Sequence, residues 1–431
     1  MGGDMGRARR VKAALASDRS RAVLAALYGD ASGVFDSQVG RYSGLVDRFC
    51  HAFPEAEQPV LFSAPGRTEI GGNHTDHNAG RVLAAAVDLD IIAAAEKTQD
   101  GKIAVESEGY PAHVVSVDDL APRDGERFTA AAVTRGVCSR LRELGRAVGG
   151  FRACVSSSVP RGSGLSSSAA YEVLMCTIVN SLYNGGDIPP IELAQVSQYA
   201  ENVYFGKPCG LMDQTASAVG GFVAIDFQDP ARPVVRKLAV DFAASGYTMV
   251  IVNTGGSHAD LNEQYASIAR EMKAVAKGLG GRVLRDVSRE LVLASLPALR
   301  AAAGDRAVLR ALHYFDENER VGGQVAALEG RRFGEFLRLV VESGRSSWML
   351  CQNCYADAVE QGIPIALEAS ARILGTRGAW RVHGGGFAGT ILAFVPHDLL
   401  QGYREAQCAL FGQGSCRNLV IRQPGAGRLE V

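Results

Sequence analysis

No stretch of this chain reaches the run of roughly 20 apolar residues that a membrane-crossing helix needs. There is no surplus of positive charge: Lys and Arg number 45 and Asp and Glu 46, a net charge of -1. A nucleic-acid binder usually carries a basic excess, so that class is not expected. Internal repeats and low-complexity linkers are absent. A secretory leader is not expected either, because the Ala-rich run Val11–Ala16 is interrupted by Lys12 and followed by Asp18, Arg19 and Arg21. Cysteine is sparse, nine in all, odd in number and scattered from Cys50 to Cys416. That pattern argues against a disulfide framework and for reduced thiols in a cytoplasmic protein.

What is present is an ordinary globular composition: 431 residues, 47% hydrophobic and 21% charged, enough chain for two or three units. Apolar periodicity predicts helices over 8–28 and 41–53, then a strand at Val60–Phe62 running into a loop rich in Gly, Asn and His. A nearly uncharged stretch, Val82–Ala95, reads as buried. Strands are expected within 102–117 and over 151–159, and helices over 129–144, 167–183, 191–205 and 210–220. After strands at 222–226 and 248–253 the chain turns helical, over 260–279, 288–295, 305–329, 331–343 and 355–374. It closes with strands at 380–383, 390–395 and 419–423. The mixed order of elements predicts an α+β protein. The Pro-containing break at 228–236 divides the chain into a helical extension 1–40, a unit 41–230 and a unit 231–431.

Three glycine-rich segments carry chemistry. The first, Ser63 to Asn78, gathers Arg67, Asn73, His74, Asp76 and His77 around Gly66, Gly71 and Gly72. Arg and Asp drawn out of water need partners, and sugar hydroxyls satisfy them by paired hydrogen bonds; a turn-rich surface loop has the same composition. A zinc site at His74 and His77 lacks a second ligand cluster. The second, Pro160 to Ala170, places small residues between a strand and a helix. Small residues let a ligand approach the backbone, and the N–H groups of the following helix face an anion. No Gly-Lys-Ser/Thr ends it, so it is not a Walker A loop; a Ser-capped helix start accounts for it equally well. The third, His383 to Gly389, adjoins an apolar strand. Between them, Asp213 stands near a helix start, where the dipole favours a charged carboxylate. The spacing of Cys351 and Cys354 has a redox look but no thioredoxin-like setting, and these two thiols are read as packing residues.

Taken together, these segments resemble the GHMP kinase superfamily, and most closely its galactokinase branch. Ala64-Pro65-Gly66-Arg67 with His74-Thr75-Asp76 resembles the sugar signature. Gly164-Leu165-Ser166-Ser167-Ser168-Ala169-Ala170 resembles the phosphate loop, Pro208 to Gln214 the catalytic segment, and Gly384-Gly385-Gly386-Phe387 the C-terminal glycine motif. The resemblance implies a two-domain fold, with an N-terminal unit like ribosomal protein S5 and a ferredoxin-like C-terminal unit. It implies phosphorylation of a monosaccharide, galactose first, at its C1 hydroxyl by ATP with Mg²⁺. The implied partners are ATP and that sugar, with no nucleic acid and no membrane, and the state a monomer or weak homo-oligomer. Asp213 matches the catalytic carboxylate and Arg67 its arginine. Ser168 and Glu201 match the Mg²⁺ contacts. Gly162, Ser163, Gly164, Leu165, Ser166, Ser167 and Ser168 match the loop around the triphosphate. Asn73, His74, Asp76, Gly210 and Tyr265 match positions around the sugar.

The sequence departs from the family at two places. Galactokinases carry Glu, a contact for the sugar's 6-hydroxyl, where this chain has Asn73, and commonly Tyr where it has His77. Loss of that carboxylate brings galacturonate, arabinose and N-acetylgalactosamine into view as alternative substrates. A non-catalytic sugar sensor is the alternative to an enzyme, but such chains usually have a damaged phosphate loop, and this one is intact.

Overall fold

The computed structural model describes residues 4–160, 162, 164–256 and 261–431. Strands are β1 (Val60–Gly71), β2 (Arg81–Lys97), β3 (Lys102–Ser107), β4 (His113–Ser116), β5 (Phe151–Ser157), β6 (Phe222–Asp226), β7 (Val234–Leu238), β8 (Tyr247–Asn253), β9 (Ala379–Val382), β10 (Thr390–Pro396), β11 (Cys416–Leu419) and β12 (Gly427–Arg428). The first-half helices are α1 (Asp4–Leu15), α2 (Asp18–Tyr28), α3 (Val34–Ala52), α4 (Ala130–Glu143), α5 (Ser167–Tyr183), α6 (Pro190–Tyr199) and α7 (Met212–Val219). The second half adds α8 (Asn262–Gly278), α9 (Arg289–Ala294), α10 (Leu296–Ala303), α11 (Asp305–Glu329), α12 (Phe333–Ser346), α13 (Gly362–Leu374) and α14 (Leu400–Phe411).

Among the described residues the strands form two sheets. The larger runs β12-β1-β2-β5-β3-β4, with β6 also on β2 and β7 on β6; the smaller runs β11-β8-β10-β9 and is antiparallel throughout. Side-chain alternation explains the layers. Along β2, Ile91, Ala93 and Ala95 enter the main core with α4 and α5, while Ile92 and Ala94 face Leu24, Tyr42, Leu45 and Phe49 of α2 and α3. The first three helices therefore cover the outer face of the larger sheet. On the smaller sheet Ile391, Ala393 and Val395 pack with Ile363 and Leu367 of α13, and Leu392 and Phe394 pack with Phe336 and Val340 of α12.

Three local expectations differ from this structure. The helix read over 8–28 is two helices, because Ser17 caps α2: its side chain accepts from Ser20 N at 3.3 Å. The segment after Phe62 is not a loop. Strand β1 continues to Gly71, pairing with β2 from Val60↔Ala95 to Gly71↔Leu83, and register shifts at Pro65/Arg67 and Glu69/Gly71 absorb the residues that would break it. The break at 228–236 spans the turn of the β6–β7 hairpin, so the chain leaves the larger sheet only after Leu238. It returns at its end, where β12 pairs with β1.

Candidate active site

The sharpest convergence of charge lies where β1, the starts of α5 and α7, and the turn between β9 and β10 meet. A cleft of about 260 Å³ opens there, and its lining includes Arg67, Glu69, Asn73, His74, Asp76, Lys207, Gly210, Asp213 and Tyr265. A larger depression of about 420 Å³ lies along α14, lined by residues such as His397, Arg404 and Cys408, without such a gathering of buried charge.

Arg67 and Asp213 form the floor. Nε meets Oδ1 and Nη2 meets Oδ2, both at 2.7 Å, a bidentate pair. Nη1 of Arg67 donates to the carbonyl of Gly164. Gly66 makes this approach feasible, since a Cβ there would fall 2.8 Å from the Leu165 carbonyl, which itself accepts from Arg67 N at 3.1 Å. Asp213 sits in the first turn of α7. Burial pushes its carboxyl up, but the Arg67 charge and hydrogen bonds from Arg67 and Ser166 outweigh this and hold it below the ordinary carboxylate range. The group is therefore ionised at neutral pH.

Gly164 and Leu165, which contact Arg67 through their carbonyls, lead from this pair into α5. Gly162 and Gly164 take φ of +68° and +70°, a region that favours glycine. The first N–H groups of a helix have no intrahelical partner, and Ser166, at the N-cap of the 17-residue α5, caps none of them with its side chain. N–H groups at a helix start and the helix dipole favour an anion, and Ser167 and Ser168 stand in this first turn. Ser163 lies outside the described residues.

Beneath α7, Gln214 Nε2 donates to Glu172 Oε2 and Glu201 Oε2, each at 3.0 Å. Burial, Glu201 and Asp213 hold the Glu172 carboxyl well above its usual range. Glu201 Oε1 is buried without a hydrogen-bond partner and lies 3.6 Å from Lys207 Nζ. A carboxylate oxygen that accepts no hydrogen bond suits a hard cation such as Mg²⁺. No group of three or more His, Cys, Asp or Glu that could hold a metal occurs among the described residues. A cation here would take most of its remaining ligands from phosphates and water.

The remaining wall comes from the end of β1 and the glycine turn 384–386. His74 takes φ +59°, and its Nε2–H donates to Gly385 O at 2.9 Å. Burial and neighbouring His77 push this imidazole down to about 3, so it is neutral. Asp76 lies against Gly210, where a Cβ would collide with Oδ2 and push the carboxylate aside. Tyr265 donates to Gly386 O at 2.9 Å, and its ring takes the space of any side chain at Gly385. Cys351 and Cys354 are buried, and burial pushes both thiols up, Cys354 to about 12, which leaves them unreactive.

Asn73 behaves differently from its neighbours. Its Nδ2 donates to Glu69 Oε1 at 2.9 Å and Gly384 O at 2.8 Å. Its Oδ1 accepts from Asn353 Nδ2 at 2.8 Å and Ser347 Oγ at 3.2 Å. An amide has two donors and two lone pairs, so nothing is left to offer a sugar. Glu69 and Lys207 are the two charged cleft residues to which the sequence assigned no role. Glu69 shares a face of β1 with Arg67, two residues away; that signal was hidden because the segment read as a loop.

Comparison with known proteins bears on this site. Residues 131–221 match the GHMP kinases N terminal domain, and residues 47–97 match the galactokinase galactose-binding signature. The chain is 34% identical over 347 residues to a galactokinase of Streptomyces coelicolor, covering 79% of this chain and 85% of that one. A Clostridium tetani galactokinase is 30% identical over 363 residues, covering 84% and 90%. The crystal structure of Lactococcus lactis galactokinase complexed with galactose superposes with a TM-score of 0.77 at 24% identity, covering 91% of this chain and all of that one, so the fold is that of the GHMP kinases. No helix among the described residues is long and apolar enough to cross a membrane.

Proposed function

Given that the chain belongs to the galactokinase family and is therefore a sugar kinase that uses ATP, we propose that it phosphorylates galactose at the anomeric C1 hydroxyl. The observation that carries this reading is the bidentate Arg67–Asp213 pair at 2.7 Å beside the open start of α5. Phosphoryl transfer needs in-line positioning and cancellation of charge more than covalent help. The N–H groups at the start of α5 take the phosphates, and Arg67 faces the transferred group. The C1 oxygen bonds to the γ-phosphorus as the bond from that phosphorus to the bridging oxygen breaks, and ADP leaves. Asp213 orients the C1 hydroxyl and receives its proton. Held below the ordinary range by Arg67, it is a weak base, which favours orientation with late proton acceptance over deprotonation beforehand. Ser168 and Glu201 would hold Mg²⁺, which when bound neutralises charge on the phosphates. His74, Asp76, Gly210 and Tyr265 would line the sugar.

The test is ATP-dependent ADP release over galactose, N-acetylgalactosamine, galacturonate, arabinose and glucose, with the phosphorylated carbon assigned by NMR. Galactose is expected to lead and to carry phosphate on C1. Turnover led by another sugar, or phosphate on another carbon, would overturn the reading.

A further inference from the structure

One carboxylate in the cleft has no part in that account. Glu69 is 4% exposed and lines the cavity. Its Oε1 accepts from Arg381 Nη2 at 2.8 Å and from Asn73 Nδ2 at 2.9 Å. Its Oε2 takes no hydrogen bond from the described residues. The backbone is held as well: Glu69 N donates to His383 Nε2 at 3.3 Å. Arg381 is fully buried and is not part of the cavity lining, so it anchors the carboxylate from behind. The result is a carboxylate with one oxygen tied into the protein and one left over.

Its position along β1 says which part of a ligand it meets. Arg67, Thr68 and Glu69 pair in regular register with Ala86, Ala85 and Ala84. Arg67 and Glu69 therefore point to the same face, about 6–7 Å apart along the strand. Arg67 is committed to Asp213 at the reacting end. Glu69 stands one side-chain row further along, while Asn73, next to it, has every donor and acceptor engaged by protein.

We propose that Glu69, and not Asn73, is the specificity-determining carboxylate of the sugar pocket: Oε2 accepts a hydrogen bond from a sugar hydroxyl remote from the one that is phosphorylated, and Arg381 positions it. This rests on the reading that the cleft holds the sugar. It also reverses an expectation drawn from the sequence. Loss of a carboxylate at position 73 does not leave the pocket open to acidic sugars, because Glu69 presents an acceptor-only oxygen at the same wall. The ligand selected is a neutral sugar with a hydroxyl donor at that point, and a uronic acid is repelled.

The experiment compares kcat/KM for galactose and its 2-, 4- and 6-deoxy analogues in the wild-type full-length chain, Glu69→Gln and Glu69→Asp. A site built to hydrogen-bond a hydroxyl rejects the analogue that lacks it, so the wild type should disfavour one deoxy sugar by about 30-fold or more. Glu69→Gln should shrink that one ratio to about threefold or less and leave the other two ratios unchanged. It should also narrow the preference for galactose over galacturonate. A merely structural role would lower all sugars alike and leave every ratio intact, and that result overturns the proposal. If Glu69→Gln does not fold, because Arg381 loses its counter-charge, Glu69→Asp keeps the charge while withdrawing the oxygen by one methylene; it should weaken the same ratio, and unchanged ratios there overturn the proposal. No turnover of any sugar by the wild type would instead overturn the proposed function and the role of Glu69 with it.

Discussion

Two carboxylates on or beside the larger sheet are held by arginine, and they are held for opposite ends. Asp90, on β2, is fully buried. It accepts from Tyr28 OH at 2.6 Å and Arg422 Nη1 at 3.2 Å, and also from Arg41 and Ser63. Those donors come from α2, α3, β1 and the segment just before β12, so Asp90 ties the N-terminal helices and the chain's last residues to the sheet. Burial pushes its carboxyl up, and Arg41 and Arg422 bring it below its usual range. Asp213 has a similar balance, but its side chain is 28% exposed and opens on a cleft. The electrostatics are alike; saturation is not. A carboxylate whose acceptors are all used by protein holds pieces together, and one with capacity left over is available to a ligand.

That contrast can be broken in order of expected effect. Asp213→Asn keeps the shape but removes the charge beside Arg67, and kcat should fall by about 10³-fold or more with sugar affinity and melting temperature little changed. Single-turnover kinetics and calorimetric titration with galactose would check it; near-normal kcat would remove Asp213 from the mechanism. Asp90→Asn should do the reverse, costing about 3–5 kcal/mol of stability by leaving buried Arg422 without its counter-charge. Denaturant unfolding would read the loss, and the folded fraction should retain wild-type kcat/KM. The effect that vanishes at neutral pH concerns His74, whose imidazole is pushed down from about 6.5 to about 3 in the folded state. The unfolded chain binds the extra proton between those values, so stability is present above about 6.5 and falls with pH down to about 3, by about 1.4 kcal/mol per pH unit for this residue. His74→Asn, which tolerates the positive φ, should reduce the pH slope of the unfolding free energy by about one proton in that window.

Much of the site was legible because its residues are adjacent in sequence. Pro65-Gly66-Arg67, His74-Thr75-Asp76, the small residues 162–168 and Gly210 to Asp213 each form a compact segment, and a short segment keeps its local chemistry wherever the fold puts it. The helix at 167–183 and the strand at 222–226 were also readable, since apolar runs bounded by Gly and Ser fix their ends. Glu69 was not legible. Its function depends on β1 continuing through Pro65 and Gly66, and residues of that kind usually end a strand. Pairing with β2 and two register shifts override that preference. The break at 228–236 lies inside the β6–β7 hairpin, a few residues before the chain leaves the larger sheet; a Pro-rich turn inside a hairpin and a linker between units have the same composition.

By itself, the sequence determined the chemical inventory of this protein: the arginine, the carboxylates, the glycines and the helix start that a sugar kinase requires, and their order along the chain. Only the tertiary structure decided which of those groups still have hydrogen-bonding capacity to offer. Asn73 and Glu69 are four residues apart and both polar, yet the fold spends one on Glu69, Gly384, Ser347 and Asn353 and leaves the other with an oxygen that takes no hydrogen bond from the described residues. Saturation of a polar group is settled by neighbours up to about 300 residues away, such as Asn353, Arg381 and Gly384. Local sequence carries no record of those neighbours, because long-range packing alone brings them within hydrogen-bonding distance.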